Sequence, residues 1–413
     1  MLIKTIFISI LFVFSNLTFA KLNIQHWETN NGARIYFIEN HDLPIVDINV
    51  DFRAGSVKDN KQKNGLASLT NHMMVLGSGE INEEDLANKF IDLGAQLNSS
   101  FDQDKSGFSL RTLSDKKSEA VDLLTLVLHE PNFDSDILER EKKRYIASIN
   151  QSKTMPESIA SKAFMKALYN KHSYGLPSSG EVETIKKIRK KDLHTFYKSH
   201  YLSNELSIVI VGDVSRKEAE NFGNKISLGF SENKITSEIP PVDYVKGQEI
   251  KISHPAKQAH LYYGAPIIKR GDPDFLALYL GNYILGGGGF VSRLTQVIRE
   301  DRGLAYSVYS YFMPFIEAGP FQVAVQTKKT QVKQAKELIQ KTIAEFIQNG
   351  PTSKELRRAK DFMIGGFPLR LDSNKKILGY VSMMAFYKYP LDYLETFTNK
   401  IDKITVEEIK SAF

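Results

Sequence analysis

The 413-residue chain contains nine histidines and no cysteine. Any metal site must therefore be built from imidazole and carboxylate, and thiolate nucleophiles, thiolate metal sites and disulfides are excluded. Three stretches carry polar chemistry. The first is Gly65-Leu66-Ala67-Ser68-Leu69-Thr70-Asn71-His72-Met73-Met74-Val75-Leu76-Gly77-Ser78, where His72 stands alone in an apolar helical pattern. One neutral imidazole cannot hold zinc at useful affinity, so the plain reading of His72 is a helix histidine touching a neighbouring loop. The second is a glycine run, Leu285-Gly286-Gly287-Gly288-Gly289-Phe290-Val291-Ser292-Arg293-Leu294, which leads to Arg299-Glu300-Asp301-Arg302-Gly303-Leu304-Ala305-Tyr306-Ser307-Val308. As a phosphate loop it lacks the Gly-Lys-Ser/Thr ending, and by itself it reads as a turn between helices. The third is the pair His254 and His260, spaced to share one strand face but near no acidic cluster.

The elements that must position these residues come in two copies. A weak internal repeat recurs at a period of about 215 residues. Glu119-Ala120-Val121-Asp122-Leu123-Leu124 is echoed by Gln334-Ala335-Lys336-Glu337-Leu338-Ile339, and Ile137 to Glu141 by Glu355 to Ala359. Each copy predicts two strands first (Ala33 to Glu39 and Ile45 to Phe52; Gln248 to Ser253 and His260 to Gly264). A helix follows (Gly65 to Met74; Phe275 to Ile284), then two more strands (Gln96 to Phe101 and Gly107 to Thr112; Ala305 to Phe312 and Gly319 to Thr327). Long amphipathic helices come next (Lys117 to His129 and Ile137 to Asn150; Val332 to Asn349 and Ser353 to Gly366). The first copy alone goes on to a last strand, Leu206 to Val211, so the sheet of the second is expected to lack that strand or to have an open edge. Hairpins outnumber strict strand–helix alternation, which predicts an α+β fold. It comprises two tandem homologous domains, each a mostly antiparallel sheet packed on several helices. The expected boundaries are 21–230 and 244–413, with a polar linker at 231–243 that holds Pro240-Pro241.

The Gly65 to Ser78 stretch resembles the zinc helix of the inverzincin metallopeptidases: pitrilysin, insulin-degrading enzyme, the mitochondrial processing peptidase and their bacterial relatives. Their motif is H-x-x-E-H in a Gly-Leu-Ala context. Two histidines one turn apart bind zinc, and the glutamate between them polarises the metal-bound water. The resemblance puts Ser68 at the first ligand and Asn71 at the general base, and retains only His72. The third ligand falls at Ala147 or Ser148, and Glu141 matches an acidic residue that supports the site. This implies that the chain binds no metal itself. The stretch from Leu285 to Val308 resembles the family's C-terminal active-site segment. That likeness makes Arg299 and Tyr306 the pair that binds substrate backbone and the developing oxyanion: a fixed cation and a neutral O–H donor. Substrates of the family add a strand beside the segment matching Gly94 to Ser100, which assigns Gly94, Ala95, Leu97 and Asn98 to peptide binding. The glycine run assigns Gly287 and Gly288.

Some bacterial relatives divide this work between two chains, one with the zinc motif and one with the Arg and Tyr. The sequence fits the second kind. The expected partner is a zinc-motif relative in a heterodimer, with zinc in that partner and peptides as substrates; a homodimer is the other arrangement. A catalytically inactive peptide-binding or scaffolding protein is the alternative, and a self-sufficient metallopeptidase built on His254 and His260 is a third. Net charge is +6, with 54 Lys and Arg interleaved among 48 Asp and Glu. The densest run, Lys186 to Lys191, precedes a helix, so nucleic-acid binding is not expected. Met1 to Ala20 reads as a cleaved signal peptide: one early Lys4, an apolar Ile6 to Phe14 and small residues up to Ala20. No later segment is long and apolar enough to span a bilayer. The mature protein is expected to be periplasmic or secreted.

Overall fold

The computed structural model describes residues 22–232 and 238–413. The signal peptide read at 1–20 and part of the linker lie outside the described residues. The first copy runs β1 (Gln25–Glu28), β2 (Arg34–Glu39), β3 (Ile45–Phe52), α1 (Leu66–Met74), α2 (Glu83–Asp92), β4 (Gln96–Phe101), β5 (Ser106–Leu113), α3 (Lys117–His129), α4 (Ser135–Ser152), α5 (Pro156–Tyr169), α6 (Val182–Lys187), α7 (Lys190–His200), β6 (Leu206–Gly212) and α8 (Arg216–Ser227). The second runs β7 (Gln258–Ile268), α9 (Phe275–Asn282), β8 (Ala305–Phe312), β9 (Gly319–Lys328), α10 (Val332–Asn349), α11 (Ser353–Gly365), α12 (Asn374–Tyr387), α13 (Tyr393–Lys403) and α14 (Val406–Ala412). Helix starts follow local chemistry. Ser215 with Glu218, Thr352 with Glu355 and Thr405 with Glu408 form reciprocal capping boxes that satisfy first-turn N–H groups.

The first sheet has the order β1-β2-β6-β3-β5-β4, antiparallel except for the parallel pair β2–β6. β6 is buried along its whole length and holds the sheet together from the middle. One face, with Ile35, Phe37, Ile48, Val50, Phe108 and Ile210, packs on the helices of its own copy. The second sheet has three strands in the order β7-β9-β8. The α+β class and the tandem pair read from the sequence are present.

The two copies are not side-by-side beads. On the other face of the first sheet, Tyr36, Ile38, Val209 and Val211 share a core with Val381, Met384 and Ala385 of α12, a helix of the second copy. Arg34 Nη1 donates to the Ala385 carbonyl at 2.8 Å. Conversely, α5 of the first copy lies on β7, and Phe164 stacks on Tyr262 at 5.7 Å. Each copy thus lends one helix to the other's sheet.

One expected strand is corrected. Gln248 to Ser253 carries the alternating Ile250 and Ile252 but forms no strand. The physical reason lies in pairing. Its counterpart β2 is paired on both sides, by β1 and β6, whereas among the described residues no strand pairs with 248–253. A strand without a ladder leaves its backbone groups unmatched.

Candidate functional site

The first half of the site sits on α1. Gly65 at its N-cap has φ 91°, a left-handed conformation that glycine adopts freely. Asp59 receives the Gly65 and Ala67 N–H groups at 2.7 and 2.9 Å, anchoring the helix start. Burial pushes the Asp59 carboxyl up to about 7 against those two donors.

Every polar position on the inner face of α1 is already engaged. Ser68 Oγ lies 3.3 Å from the hydroxyl of Tyr145 on α4. Asn71 donates to Ser106 Oγ at 2.7 Å and to the Ser100 carbonyl at 3.3 Å, and Ser106 Oγ bonds Tyr201 OH at 2.7 Å. His72 Nε2 meets Glu141 Oε2 at 2.9 Å. The other Glu141 oxygen accepts from Arg140 at 2.8 Å and Arg144 at 3.2 Å. Burial alone would raise the Glu141 carboxyl, but His72 and the two arginines outweigh it and hold it below the usual carboxylate range. The Tyr145 hydroxyl is pushed up by burial. Ala147 and Ser148 are exposed on α4.

These residues do not fit zinc. His72 and Glu141 are paired with each other, and Ser68 and Asn71 offer no metal-grade donor. No side-chain polar atom of Ser68, Asn71, His72, Glu141 or Tyr145 is left buried without a partner. Four-coordinate zinc takes three or four protein ligands, and among the described residues no group of three His, Asp or Glu is arranged to hold a metal. His260 lies on β7 opposite Gln326, while His254 accepts the Ala256 N–H in the irregular segment before it.

The second half is built differently. Residues Thr295–Glu300 form a π-helical turn, and Leu304 N–H bonds back to the Ile298 carbonyl at 2.9 Å as the chain enters β8. A π-turn widens the helix by one residue and often marks a functional position. Arg299 stands half-exposed on this turn, its guanidinium 4.9 Å from the centre of the Phe290 ring. Tyr306 is 53% exposed and sits where the β8–β9 register shifts between Ala305 and Ser307. A bulge there re-aims a side chain out of the ladder.

The glycine run is a close-approach site. Asn282 Nδ2 donates to the Ser310 carbonyl at 2.9 Å, and Ser310 Oγ donates to Asn282 Oδ1 at 2.6 Å. A Cβ on Gly286 would come within 2.3 Å of Ser310 Oγ, and one on Gly287 within 2.7 Å of Asn282 Nδ2. Gly288 lies equally tight against the Tyr283 carbonyl, at 2.5 Å. The run, which begins in a π-helical turn at Tyr283–Gly287, is therefore pressed against β8 at Ser310 and held there by two buried polar side chains.

The assigned peptide edge is β4, an outer strand of the first sheet. Asn98 is exposed and Leu97 half-buried, Gly94 turns into the strand with φ 60°, and Ala95 is buried in the core. Among the described residues no hydrogen bond or ion pair joins Arg299 or Tyr306 to Ser68, Asn71 or His72. Sequence reasoning missed Tyr145, the hydroxyl that answers Ser68, and Asn282 with Ser310, which seat the glycines.

The insulinase (peptidase family M16) profile matches residues 34–181, and the peptidase M16 inactive-domain profile matches residues 187–363. A Helicobacter pylori protein described as a non-peptidase homolog, YmxG, is 29% identical over 390 residues, spanning 94% of this chain and 90% of that protein. A Bacillus subtilis protein described as an uncharacterized zinc protease, YmxG, is 26% identical and spans 94% of each. The crystal structure of a peptidase M16 inactive domain from Pseudomonas fluorescens superposes with a TM-score of 0.91 at 37% identity, over 95% of this chain and 94% of that one. A Helicobacter pylori protease structure shares the fold with a TM-score of 0.82 at 17% identity, over 95% of each chain.

Proposed function

The chain belongs to the insulinase (M16) peptidase family, and from that premise we propose that it is the non-zinc subunit of a two-chain peptidase. It supplies Arg299 and Tyr306 to a zinc site on a partner that carries H-x-x-E-H. The observation that carries this reading is the contrast between the two halves. The α1 site is closed by its own hydrogen bonds, from Ser68 to Glu141. Arg299 and Tyr306 are instead half-exposed, on a π-turn and a bulge. The relative described as a non-peptidase homolog and the solved inactive domain support it.

In this role a zinc held by the partner's H-x-x-E-H would supply Lewis-acid chemistry at the scissile carbonyl. Arg299 and Tyr306 donate to the oxygen as negative charge develops, and the open β4 edge pairs with the peptide main chain. The leader read at 1–20 would place the pair in the periplasm. The test is to mix this chain with an H-x-x-E-H relative and follow peptide cleavage. Either Arg299→Ala or Tyr306→Phe is expected to lower the activity of the mixture by roughly 10²-fold with the complex intact, as loss of an oxyanion donor does. Unchanged activity in both variants would reject the role.

The second reading, a peptide-binding protein without turnover, is favoured by the same β4 edge. Peptide affinity unaltered by Arg299→Ala, with no cleavage in any mixture, would favour it.

A further inference from the structure

α12 packs with one side and leaves the other open. Ile377, Leu378, Val381, Met384 and Ala385 are buried between the first sheet and the second core. Lys376, Gly379, Tyr380 and Met383 are spaced i, i+3, i+4 and i+7 and so share the other face. With Leu369 and Arg370, from the turn before the helix, they line a groove of about 630 Å³. Ligand sites span roughly 300–1,000 Å³. A Cβ on Gly379 would meet nothing within 4 Å, so packing does not require a glycine there. Glycine inside a helix is destabilising relative to alanine, and at this position its effect is to keep the groove deep.

The groove holds more cations than its own acids balance. Arg370 Nη1 bonds the Tyr279 hydroxyl at 3.1 Å, and the Tyr380 hydroxyl is its other polar neighbour. Lys375 also lines the groove. Among the described residues no carboxylate forms an ion pair with Arg370 or Lys375, whereas Lys376 is answered by Asp372 at 2.9 Å. Apolar surface flanks these charges: Leu369 is 66% exposed and Met383 half-buried. Such a lining fits carboxylates set among apolar groups.

Position identifies the ligand. The charge of Lys375 acts on Asp47 of β3. Asp47, Arg111 and Gln96 form one row across β3, β5 and β4, with Arg111 Nε 3.4 Å from Asp47 Oδ1. Neighbouring strands lie about 5 Å apart, so Gln96 is about 10 Å from Asp47, the reach of about three extended residues. Gln96 opens β4, the outer strand assigned to peptide. A peptide running off that end of β4 therefore passes Arg111 and arrives at Lys375.

We propose that the groove on α12 holds the flank of a peptide paired to β4 and selects acidic residues alternating with apolar ones. The carboxylates meet Lys375 and Arg370, and the apolar side chains lie on Leu369 and Met383. This inference rests on the reading of β4 as a peptide edge and adds a substrate class to it.

The test is fluorescence anisotropy on the full chain alone with three labelled peptides: a neutral Ser-Val repeat, the same repeat carrying Glu-Leu-Glu-Phe, and that flank by itself on a Gly-Ser spacer. A sheet edge accepts a strand in either direction, so the flank is placed at each end in turn. The flank is expected to tighten binding by at least about 10-fold over the bare repeat. Lys375→Glu reverses a charge, and Gly379→Leu fills the groove from a position with open space around it. Each is expected to remove most of the gain and to leave the affinity of the bare repeat unchanged. A flank that gives no gain, or a gain that survives both variants, would overturn the proposal. Failure of the β4 edge gives a different result: the bare repeat does not bind, while the isolated flank binds and is lost in both variants, which upholds the groove and rejects the edge. Anionic lipid is the competing occupant. Sedimentation with phosphatidylglycerol vesicles that Lys375→Glu abolishes, with no effect of the flank, assigns the groove to a membrane surface and overturns the peptide.

Discussion

Asn71 shows how far the first half of the site has moved from metal chemistry. Its amide donates to Ser106 Oγ and to the Ser100 carbonyl in a position that is 3% exposed. A carboxylate there has no N–H to give to the Ser100 carbonyl and places a charge in a buried position. Asn71→Glu, which puts a glutamate where the resemblance implies the family's general base, is therefore expected to destabilise the fold by about 2–3 kcal/mol, the cost of a buried carbonyl left without its donor plus a buried charge. Urea denaturation measures this, and an unchanged midpoint would show that the pocket tolerates the base. The absence of ligands at Ser68 and Asn71 was legible in the residue types. The closure was not, because Tyr145 reads as one more aromatic at helical spacing. Its partner Ser68 lies 77 residues away on another helix, a separation that no local pattern encodes.

At the scale of elements, α11 is tied to the segment after the glycine run through Glu355. The carboxylate receives Arg293 twice at 2.7 Å, just beyond the glycine run, and also caps its own helix through Thr352. Burial would raise its pKa, but Arg293 and Thr352 outweigh that and bring it down to about 2. A folded-state value below the ordinary 4.5 means that the ionised form stabilises the fold. That contribution is complete above pH ~4.5 and is lost as pH falls toward ~2, on the order of 2 kcal/mol after allowing for partial exposure. Glu355→Gln is expected to lower stability at neutral pH and to flatten the fall between those limits. Denaturation midpoints measured across the range check it, and an undiminished slope would assign the loss to other carboxylates. The capping pair Thr352 and Glu355 is a local signal, as is the alternation in most strands. The segment 248–253 has the right alternation and still forms no strand, since pairing is decided by a neighbour that local pattern cannot supply.

The molecule as a whole is locked by Asp104, on the turn between β4 and β5. The residue is fully buried. One oxygen accepts Tyr174 OH at 2.6 Å; the other accepts the Ile316 N–H at 2.9 Å and Tyr387 OH at 3.1 Å. Tyr174 comes from the first copy, Ile316 and Tyr387 from the second, so one carboxylate joins both. Burial pushes its pKa up in spite of these donors. Nothing in Asp102-Gln103-Asp104 distinguishes this turn from a solvated one, which is why the residue went unread. Asp104→Ala leaves three donors without an acceptor, and the expected loss is roughly 3 kcal/mol or more. Asp104→Asn keeps one acceptor and should lose less. A double-mutant cycle of Asp104→Asn with Tyr174→Phe should return a coupling of about 1 kcal/mol or more, as contacting buried partners do. Because α5 covers the second sheet and α12 the first, neither copy has a complete core alone. The chain is therefore expected to unfold in a single transition, and Asp104→Ala to shift that transition without splitting it. Calorimetry distinguishes the outcomes. Two separated transitions in the variant would mean that the copies fold independently and that the exchanged helices contribute little to either core.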